Sequence, residues 1–492
     1  MRRRTLLCGA IAGAFLALGA GAALAQGPDR SGPPELGPPP RLDLPDIQRF
    51  TLANGLPVLL MESHRVPVVE IVLVVEAGAV DELAGKGGVA SMTAAMLDEG
   101  AGARSSLEIA DAIDFLGAGL TTAAGQHATT VTLHTPLSKL ADALPVMADV
   151  ALRPTFPAEE LERQRAERLT TLLQWRDEPR AIASVAFSEA LYGDAHPYGR
   201  PTLGDAASLT AMTPEDLRAF HSSRFYPGAA TLVIAGDVTR AALEPLLAQA
   251  FGSWRGSSAA ATEIPAAEQV GAREIILVDK PGAAQSEIRI GRIGVERLTE
   301  DYHEIVVMNT ILGGSFTSRL NQRLREERGY SYGAFSGFDF RPTPGPFVAQ
   351  AAVQTAVTDS ALAVFMREIA GVLERVPEDE LQRAKNYVAL GYPQSFETVG
   401  STAGTMAEIA MYDLPLDTFD RFIDEVMAVT ADDVQRVARQ YLDPERVAVI
   451  VVGDRSVIEP GIRALNLGTV RTATIEDVLG PAPDLGEETE GP

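Results

Sequence analysis

Apolar residues recur along this chain in two rhythms. Val68–Val75 is apolar at every position but Glu70, which predicts a strand buried on both faces, entered past Pro67. Phe50–Leu52 and Val58–Leu60 flank Asn54-Gly55, a turn pair that predicts a hairpin. Residues 117–136, rich in threonine, read as a strand pair. Between these runs the spacing lengthens to that of a helix. Val89, Met92 and Met96 share one side of a helix over 88–99, and further helices are expected at 106–116, 137–151, 158–176 and 180–192. Strands interleaved with helices in this way predict an α+β fold, with helices lying on a mainly antiparallel sheet.

The second half repeats the first. TPEDLRAFHSSRFYPGAATLVIAGD at 213–237 aligns without gaps on TADDVQRVARQYLDPERVAVIVVGD at 430–454. Thr213 matches Thr430, Asp216 matches Asp433, Pro227 matches Pro444, and Gly236-Asp237 matches Gly453-Asp454. A second echo pairs FPAEELERQRAE at 156–167 with VPEDELQRAKNY at 376–387. A period this long excludes a solenoid and indicates a duplicated domain. Length alone would suggest about three domains; the repeat assigns two, over 47–252 and 273–470. The Ala/Ser-rich stretch 253–272 is the expected connector, and 471–492 is expected to be a disordered acidic tail.

The first 25 residues carry a basic head, a Gly/Ala/Leu-rich middle and Ala23-Leu24-Ala25, the pattern of a secretory signal. Residues 26–46, with seven prolines between 27 and 46, read as a disordered linker. The expected location is therefore periplasmic or secreted. Cys8 is the only cysteine, so the mature chain needs no disulfide. The formal charge of −24 disfavours nucleic acid and anionic lipid as partners, and hints at basic peptides or at nothing more than a solvated surface. No other run approaches the about 20 apolar residues of a membrane span.

The richest stretch is Gly313–Gly337, GGSFTSRLNQRLREERGYSYGAFSG. Phe316, Leu320 and Leu324 fall on one helical stripe, Arg323 and Glu327 can pair across a turn, and Gly329 can close the helix. Arg325 then lies late on the helix and Tyr332 early in the strand that follows, with a glycine turn to aim both at one point. The wording LGG-x-F-x-SRL-x-x-x-LRE-x-RG-x-x-Y resembles the C-terminal half of the pitrilysin/insulinase peptidases, the inverted zincins. Other carriers are LANGLPVLLMES near the start, the loop from Tyr192 through His196-Pro197-Tyr198-Gly199 to Gly204, and VDKPGAAQSEIRIG at 278–291. The resemblance implies two homologous halves facing each other as a clamshell. It also implies that Arg325 and Tyr332 contact the substrate carbonyl. On residue type alone, Arg325 reads as a solvated helix face and Tyr332 as core.

In active members of that family the first half carries HxxEH on a helix, two zinc-binding histidines and a water-activating glutamate. Here the matching positions after Gly87-Gly88-Val89-Ala90 are Ser91, Ala94 and Ala95. The third ligand position registers at Gln164 or Thr171; Glu162 and Glu167 nearby read as solvated helix face. The six histidines include no i, i+4 pair, and no G-x-S-x-G elbow occurs. The expectation is no metal and no cofactor in this chain, with zinc in a partner.

The resemblance implies a heterodimer in which an HxxEH-containing homologous subunit holds the zinc and this chain supplies Arg325 and Tyr332. It further implies that a peptide substrate adds a strand along Gly119, Leu120, Thr121, Thr122 and Ala123; an ordinary sheet edge is the plain alternative. A scaffold or peptide-binding protein of the same fold is the rival reading, and an autonomous hydrolase with an unrecognised site a third.

Overall fold

The computed structural model describes residue 37, residues 42–256 and residues 262–485. The expected signal segment and most of the proline-rich linker lie outside these residues.

In the N-terminal half the strands of the main sheet are β1 (Ile47–Thr51), β2 (Pro57–Glu62), β3 (Val68–Val75), β4 (Gly119–Ala124), β5 (Thr129–Pro136) and β6 (Ala230–Gly236). They form one sheet in the order β1-β2-β6-β3-β5-β4, antiparallel except for β2 against β6. The C-terminal half supplies β7 (Glu274–Asp279), β8 (Gln285–Ile293), β9 (Phe335–Phe338), β10 (Pro346–Gln354), β11 (Ala448–Gly453) and β12 (Thr469–Ala473), ordered β9-β10-β8-β11-β7-β12. Without the outermost β1 and β12, the two sheets have the same connectivity and the same single parallel pair. The chain thus carries two copies of one mixed α+β unit.

The helices include α1 (Val89–Ala95), α2 (Ala158–Trp175), α3 (Pro179–Tyr192), α4 (Pro214–Arg224), α5 (Val399–Tyr412), α6 (Ala431–Tyr441) and α7 (Ile475–Leu479). The sequence repeat becomes structural at α4 and α6. Thr213 and Asp216 close a reciprocal capping box at the start of α4, and Thr430 and Asp433 close the same box on α6. Each helix then leads into the buried strand that follows it.

Each sheet is covered on one face by helices of its own half and on the other by a helix of the opposite half. Ile71, Leu73, Val131 and Leu232 pack with Met92, Leu144, Met147 and Leu217. On the reverse face, Val72, Val74 and Val233 meet Ala403, Met406 and Ile409 of α5. In exchange, α3 lays Ile182, Ala183 and Phe187 on Ile276, Ile450 and Val452. This exchange explains why β3 is apolar without alternation, because neither face meets water. A Cβ at Gly291 would clash with the Phe347 carbonyl oxygen of the neighbouring strand and lie 2.6 Å from the Phe187 ring, so only glycine fits there. Each large side chain buried in this exchange stabilises by about 1.5–3 kcal/mol.

A polar latch reinforces the joint. The His127 Nε2 lies 2.5 Å from the Tyr198 hydroxyl, which lies 2.7 Å from Thr343 Oγ1. The Arg341 guanidinium sits 4.2 Å over the Tyr198 ring, and the Tyr192 hydroxyl donates to the Pro344 carbonyl at 3.2 Å. His196 has a structural hydrogen-bonding role, its Nδ1 accepting from the Tyr198 N–H while its Nε2 bonds the Pro265 carbonyl. Burial first, and then Arg341, push His127 down to about 4, with Asp81 and Asp339 opposing. Because the free imidazole titrates near about 6.5, the folded chain binds fewer protons than the unfolded one between these values. The His127 contribution is therefore complete above pH about 6.5 and is lost as pH falls toward about 4. Urea midpoints at pH 7 and pH 4.5 should differ more in the native chain than in His127→Gln; equal differences would remove the latch from the account.

The chain remains ordered past the expected end of the C-terminal half. Residues 471–483 are not a loose tail: β12 pairs with β7, and Val478 and Leu479 of α7 pack with the α3 cluster. Arg176 donates from Nη1 to the Gly480 carbonyl at 2.8 Å. The acidic residues that suggested disorder include Asp477, which caps α7 through a box with Thr474. Residues 486–492 lie outside the described residues. Residues 257–261 of the expected connector lie outside the described residues, and its described parts are pinned: Trp254 is buried and Gln269 bonds both the carbonyl and the N–H of Ile293.

Candidate functional site

The Gly313–Gly337 stretch folds around two widened helical turns, Thr310–Gly314 and Gln322–Glu326, separated by a short α-turn at Arg319–Asn321. Such turns insert an extra residue and re-aim side chains. Gly313 backs directly onto Ser336, whose N would lie 2.5 Å from a Cβ, so only glycine fits there. Leu320 and Leu324 are fully buried as the periodicity requires. Phe316 departs from that stripe: its ring is 59% exposed, because the widened turn ends before it and the helix restarts only at Arg319.

Phe316 instead carries Arg325. The guanidinium carbon lies 4.2 Å from the Phe316 ring centre, a cation–π arrangement that fixes the cation's direction. Arg325 Nη1 lies 3.2 Å from Glu326 Oε1, yet it meets no acceptor in hydrogen-bond geometry among the described residues. Tyr332 is not in the strand, which begins three residues later at Phe335; it stands in a bend, 93% exposed. Tyr330 and Gly329 take the bonds that a strand would have used, the Tyr330 carbonyl accepting from the Gln354 N–H. Phe316 and Tyr332 line one cavity of about 480 Å³, together with Arg180, Glu287, Phe335 and Tyr387. Tyr332 thus lines the hollow itself, while Arg325 is not among the lining residues and neighbours it only by stacking on Phe316.

Asn321 was not singled out by sequence, although it holds the Tyr332 loop. Its Nδ2 donates to the carbonyls of Ser315 at 3.1 Å and Ala334 at 2.8 Å, while its Oδ1 accepts the Ala334 N–H at 3.0 Å. Asn309 holds Ser336 further on, its Nδ2 donating to the Ser336 carbonyl at 3.0 Å and its Oδ1 accepting from the Ser336 hydroxyl at 2.7 Å. A lone asparagine between an arginine helix and a glycine turn gives no periodic signal. Asn321→Ala leaves these backbone groups buried and unpaired, at about 1–3 kcal/mol. Amide exchange over residues 332–334 should speed up by about tenfold or more, and unchanged exchange would free Asn321 of a positioning role.

The N-terminal half presents the opposite picture at Ser91, Ala94 and Ala95. All three lie on α1, with Ala94 fully buried. Ser91 Oγ donates to the carbonyls of Gly88 at 3.2 Å and Thr202 at 2.7 Å. From α2, Arg168 reaches across to the same residue, donating from Nη1 to Ser91 Oγ at 2.7 Å and from Nη2 to the Ser91 carbonyl at 2.8 Å. Burial lowers Arg168 to about 10, with Glu82 opposing, so it stays charged at neutral pH. Burial raises Glu82 to about 7, against the pull of the Ala90 and Gly88 N–H groups and of Arg200 and Arg168.

These residues do not fit a zinc ion. Side chains of alanine offer no lone pair, Ser91 Oγ is engaged by the Thr202 carbonyl and by Arg168, and the guanidinium bonded to Ser91 would repel a dication there. The third-ligand positions are committed as well: Gln164 donates to Glu99 at 2.9 Å, and Thr171 bonds back to the Glu167 carbonyl at 3.0 Å. Glu162 and Glu167 pair with Arg165 and Arg163 on the wet face of α2. Among the described residues no group of three or more His, Cys, Asp or Glu could hold a metal. His134 bonds Glu70 at 2.6 Å.

Gly119, Leu120, Thr121, Thr122 and Ala123 form β4, which ends the sheet and among the described residues pairs with β5 alone. Alternate side chains are exposed on one face of that strand.

The comparisons with known proteins agree with this fold. The model described as insulinase (peptidase family M16) matches residues 57–206, and that described as peptidase M16 inactive domain matches residues 211–388. An uncharacterized zinc protease of Mycobacterium bovis is 29% identical over 413 residues, covering 82% of this chain and 93% of that protein. One from Bacillus subtilis is 24% identical, over 82% of this chain and 98% of that protein. The crystal structure of a peptidase M16 inactive domain from Pseudomonas fluorescens superposes with a TM-score of 0.78 at 28% identity, covering 83% of this chain and 98% of that chain. A protease from Helicobacter pylori shares the fold, with a TM-score of 0.76 at 19% identity over 84% of this chain and 100% of that one.

Proposed function

The chain belongs to the insulinase (M16) family of peptidases, and on that premise we propose that it is the non-catalytic subunit of a two-chain zinc peptidase. One observation carries the reading. The position of the family's metal is closed by Arg168 and Ser91, whereas Tyr332 stands open at a peptide-sized hollow and Arg325 is stacked on Phe316, which lines that hollow. The zinc belongs to an HxxEH-bearing homologous partner, and the zinc-protease names of the relatives suit the assembled pair. This chain's part in peptide hydrolysis is to donate hydrogen bonds from the Tyr332 phenol and the Arg325 guanidinium to the oxyanion that develops on the scissile carbonyl. Donors fixed in direction beforehand stabilise such charge without reorganising during the reaction. The β4 edge would hold the substrate backbone by strand addition. The basic, Gly/Ala/Leu-rich start of the chain supports a periplasmic or secreted location for this subunit.

The closed metal position equally suits a peptide-binding scaffold, which differs in having no use for Arg325 and Tyr332. Purified alone, the chain should carry no stoichiometric zinc by elemental analysis and should cleave no peptide. Metal-dependent turnover by the isolated protein would sink the subunit reading.

A further inference from the structure

The groove that leads away from Tyr332 is marked by two arginines that no carboxylate holds in an ion pair. The chain carries a large excess of carboxylates, and its surface arginines mostly hold one: Arg163, Arg165, Arg218, Arg323 and Arg383 are all paired. Arg180 and Arg200 are not. Among the described residues neither guanidinium has a hydrogen bond or an ion pair.

Both line one groove of about 520 Å³, with Trp175, Ser184 and Ser188 between them. Arg180 also lines the Tyr332 cavity, and Arg200 also lines a further hollow of about 370 Å³. The three spaces therefore adjoin along α3, whose apolar face is committed to the opposite sheet while Ala181, Ser184, Val185 and Ser188 face the groove. Gln126, two residues past the open edge strand β4, lines the same groove. A peptide added along that edge would run into it.

We infer that the substrate of this site is an acidic peptide, with one carboxylate read by Arg180 beside the Tyr332 cavity and a second by Arg200. The spacing follows from α3. From Arg180 to the level of Val185–Ser188 the helix rises about 10 Å, which an extended peptide covers in about three residues. The other charges define the limits of this preference. Glu287 lies buried beside Arg180 and is offset first by Arg289, 3.8 Å away, and then by Arg180; Glu82 acts on Arg200 from a longer range, and Glu178 also lines the groove. Beyond Arg200 the wall turns acidic at Glu189 and Asp194, so the preference ends there. This assignment overrides the expectation, drawn from net charge, of basic peptides. It rests on the reading of the hollow as a peptide site.

The test measures fluorescence anisotropy of short labelled Ala/Ser/Leu peptides with the full-length chain. One peptide carries two glutamates three residues apart, and its counterpart carries lysines there. The acidic peptide should bind about tenfold tighter, with the advantage shrinking as salt rises to about 0.5 M. Arg180→Glu with Arg200→Glu should reverse the order, and Arg180→Gln with Arg200→Gln should abolish the difference; thermal melts confirm folding of both. Equal binding of the two peptides by the native chain, or preference for the lysine peptide, overturns the acidic assignment while leaving the peptide site standing. Binding of neither peptide removes the peptide site itself.

Discussion

Tyr332→Phe in the assembled pair should lower kcat by roughly 10²–10³-fold, the usual loss when one oxyanion donor is removed. KM should change little, because the phenol of a side chain 93% exposed in the free chain has no ground-state partner to lose. Stability should move by less than about 0.5 kcal/mol for the same reason. Arg325→Ala should cost kcat similarly, and Arg325→Lys should recover little, since an ammonium neither stacks on Phe316 as a planar guanidinium does nor presents a fork of donors. The check is steady-state kinetics alongside gel filtration of the pair. Full activity in both Tyr332→Phe and Arg325→Ala, with the pair intact, would leave only the scaffold reading.

The largest stability effect is expected at Arg168. It is a buried cation making two charge-assisted bonds to Ser91, and it also faces Glu82, whose carboxyl burial already drives up. Arg168→Ala removes both bonds, leaves Ser91 poorly satisfied, and takes a balancing charge from Glu82. The expected loss is about 3 kcal/mol. Arg168→Met fills the space without the charge and should lose nearly as much, because the deficit is polar and not volumetric. Arg168→Lys should recover less than half, since one ammonium cannot reach Ser91 Oγ and the Ser91 carbonyl in the same geometry. Urea unfolding monitored at Trp175 and Trp254 tests this. An Arg168→Ala chain as stable as the native one would mean that the guanidinium is incidental to the closed metal position.

Much of this was legible in the sequence, and what was not has identifiable physical causes. The doubled α+β unit was readable because capping residues and buried strands recur in order, from Thr213 and Asp216 to Thr430 and Asp433. The apolar run of β3 announced burial on both faces, but nothing local said that the second face is covered by α5 of the other half. Such an exchange is written in two distant segments that show only ordinary amphipathicity. Phe316 was misplaced on the core stripe because a widened turn breaks the 3.6-residue rhythm, and a single sequence carries no mark of that break. Tyr332 was displaced from its strand for a related reason: Asn321 captures Ala334 through a side chain, and that bond leaves no periodic trace. The loss of metal-binding groups at Ser91, Ala94 and Ala95 was plain from residue chemistry. That Arg168 fills their place was not, because a lone arginine on a charged helix looks like the solvated arginines around it. The tail past residue 470 was read as disordered from its acidity, whereas Asp477 caps a helix whose Val478 and Leu479 are packed.

The most direct test of the central claim is a titration of an HxxEH-bearing homologous chain, at fixed concentration, with this protein, following hydrolysis of a quenched peptide. Activity should rise to a plateau at one chain per partner with one zinc per pair, and the Arg325→Ala/Tyr332→Phe double variant should bind equally well while leaving activity near the partner's own level. An activity unaffected by the native chain, or raised equally by the double variant, would contradict the account.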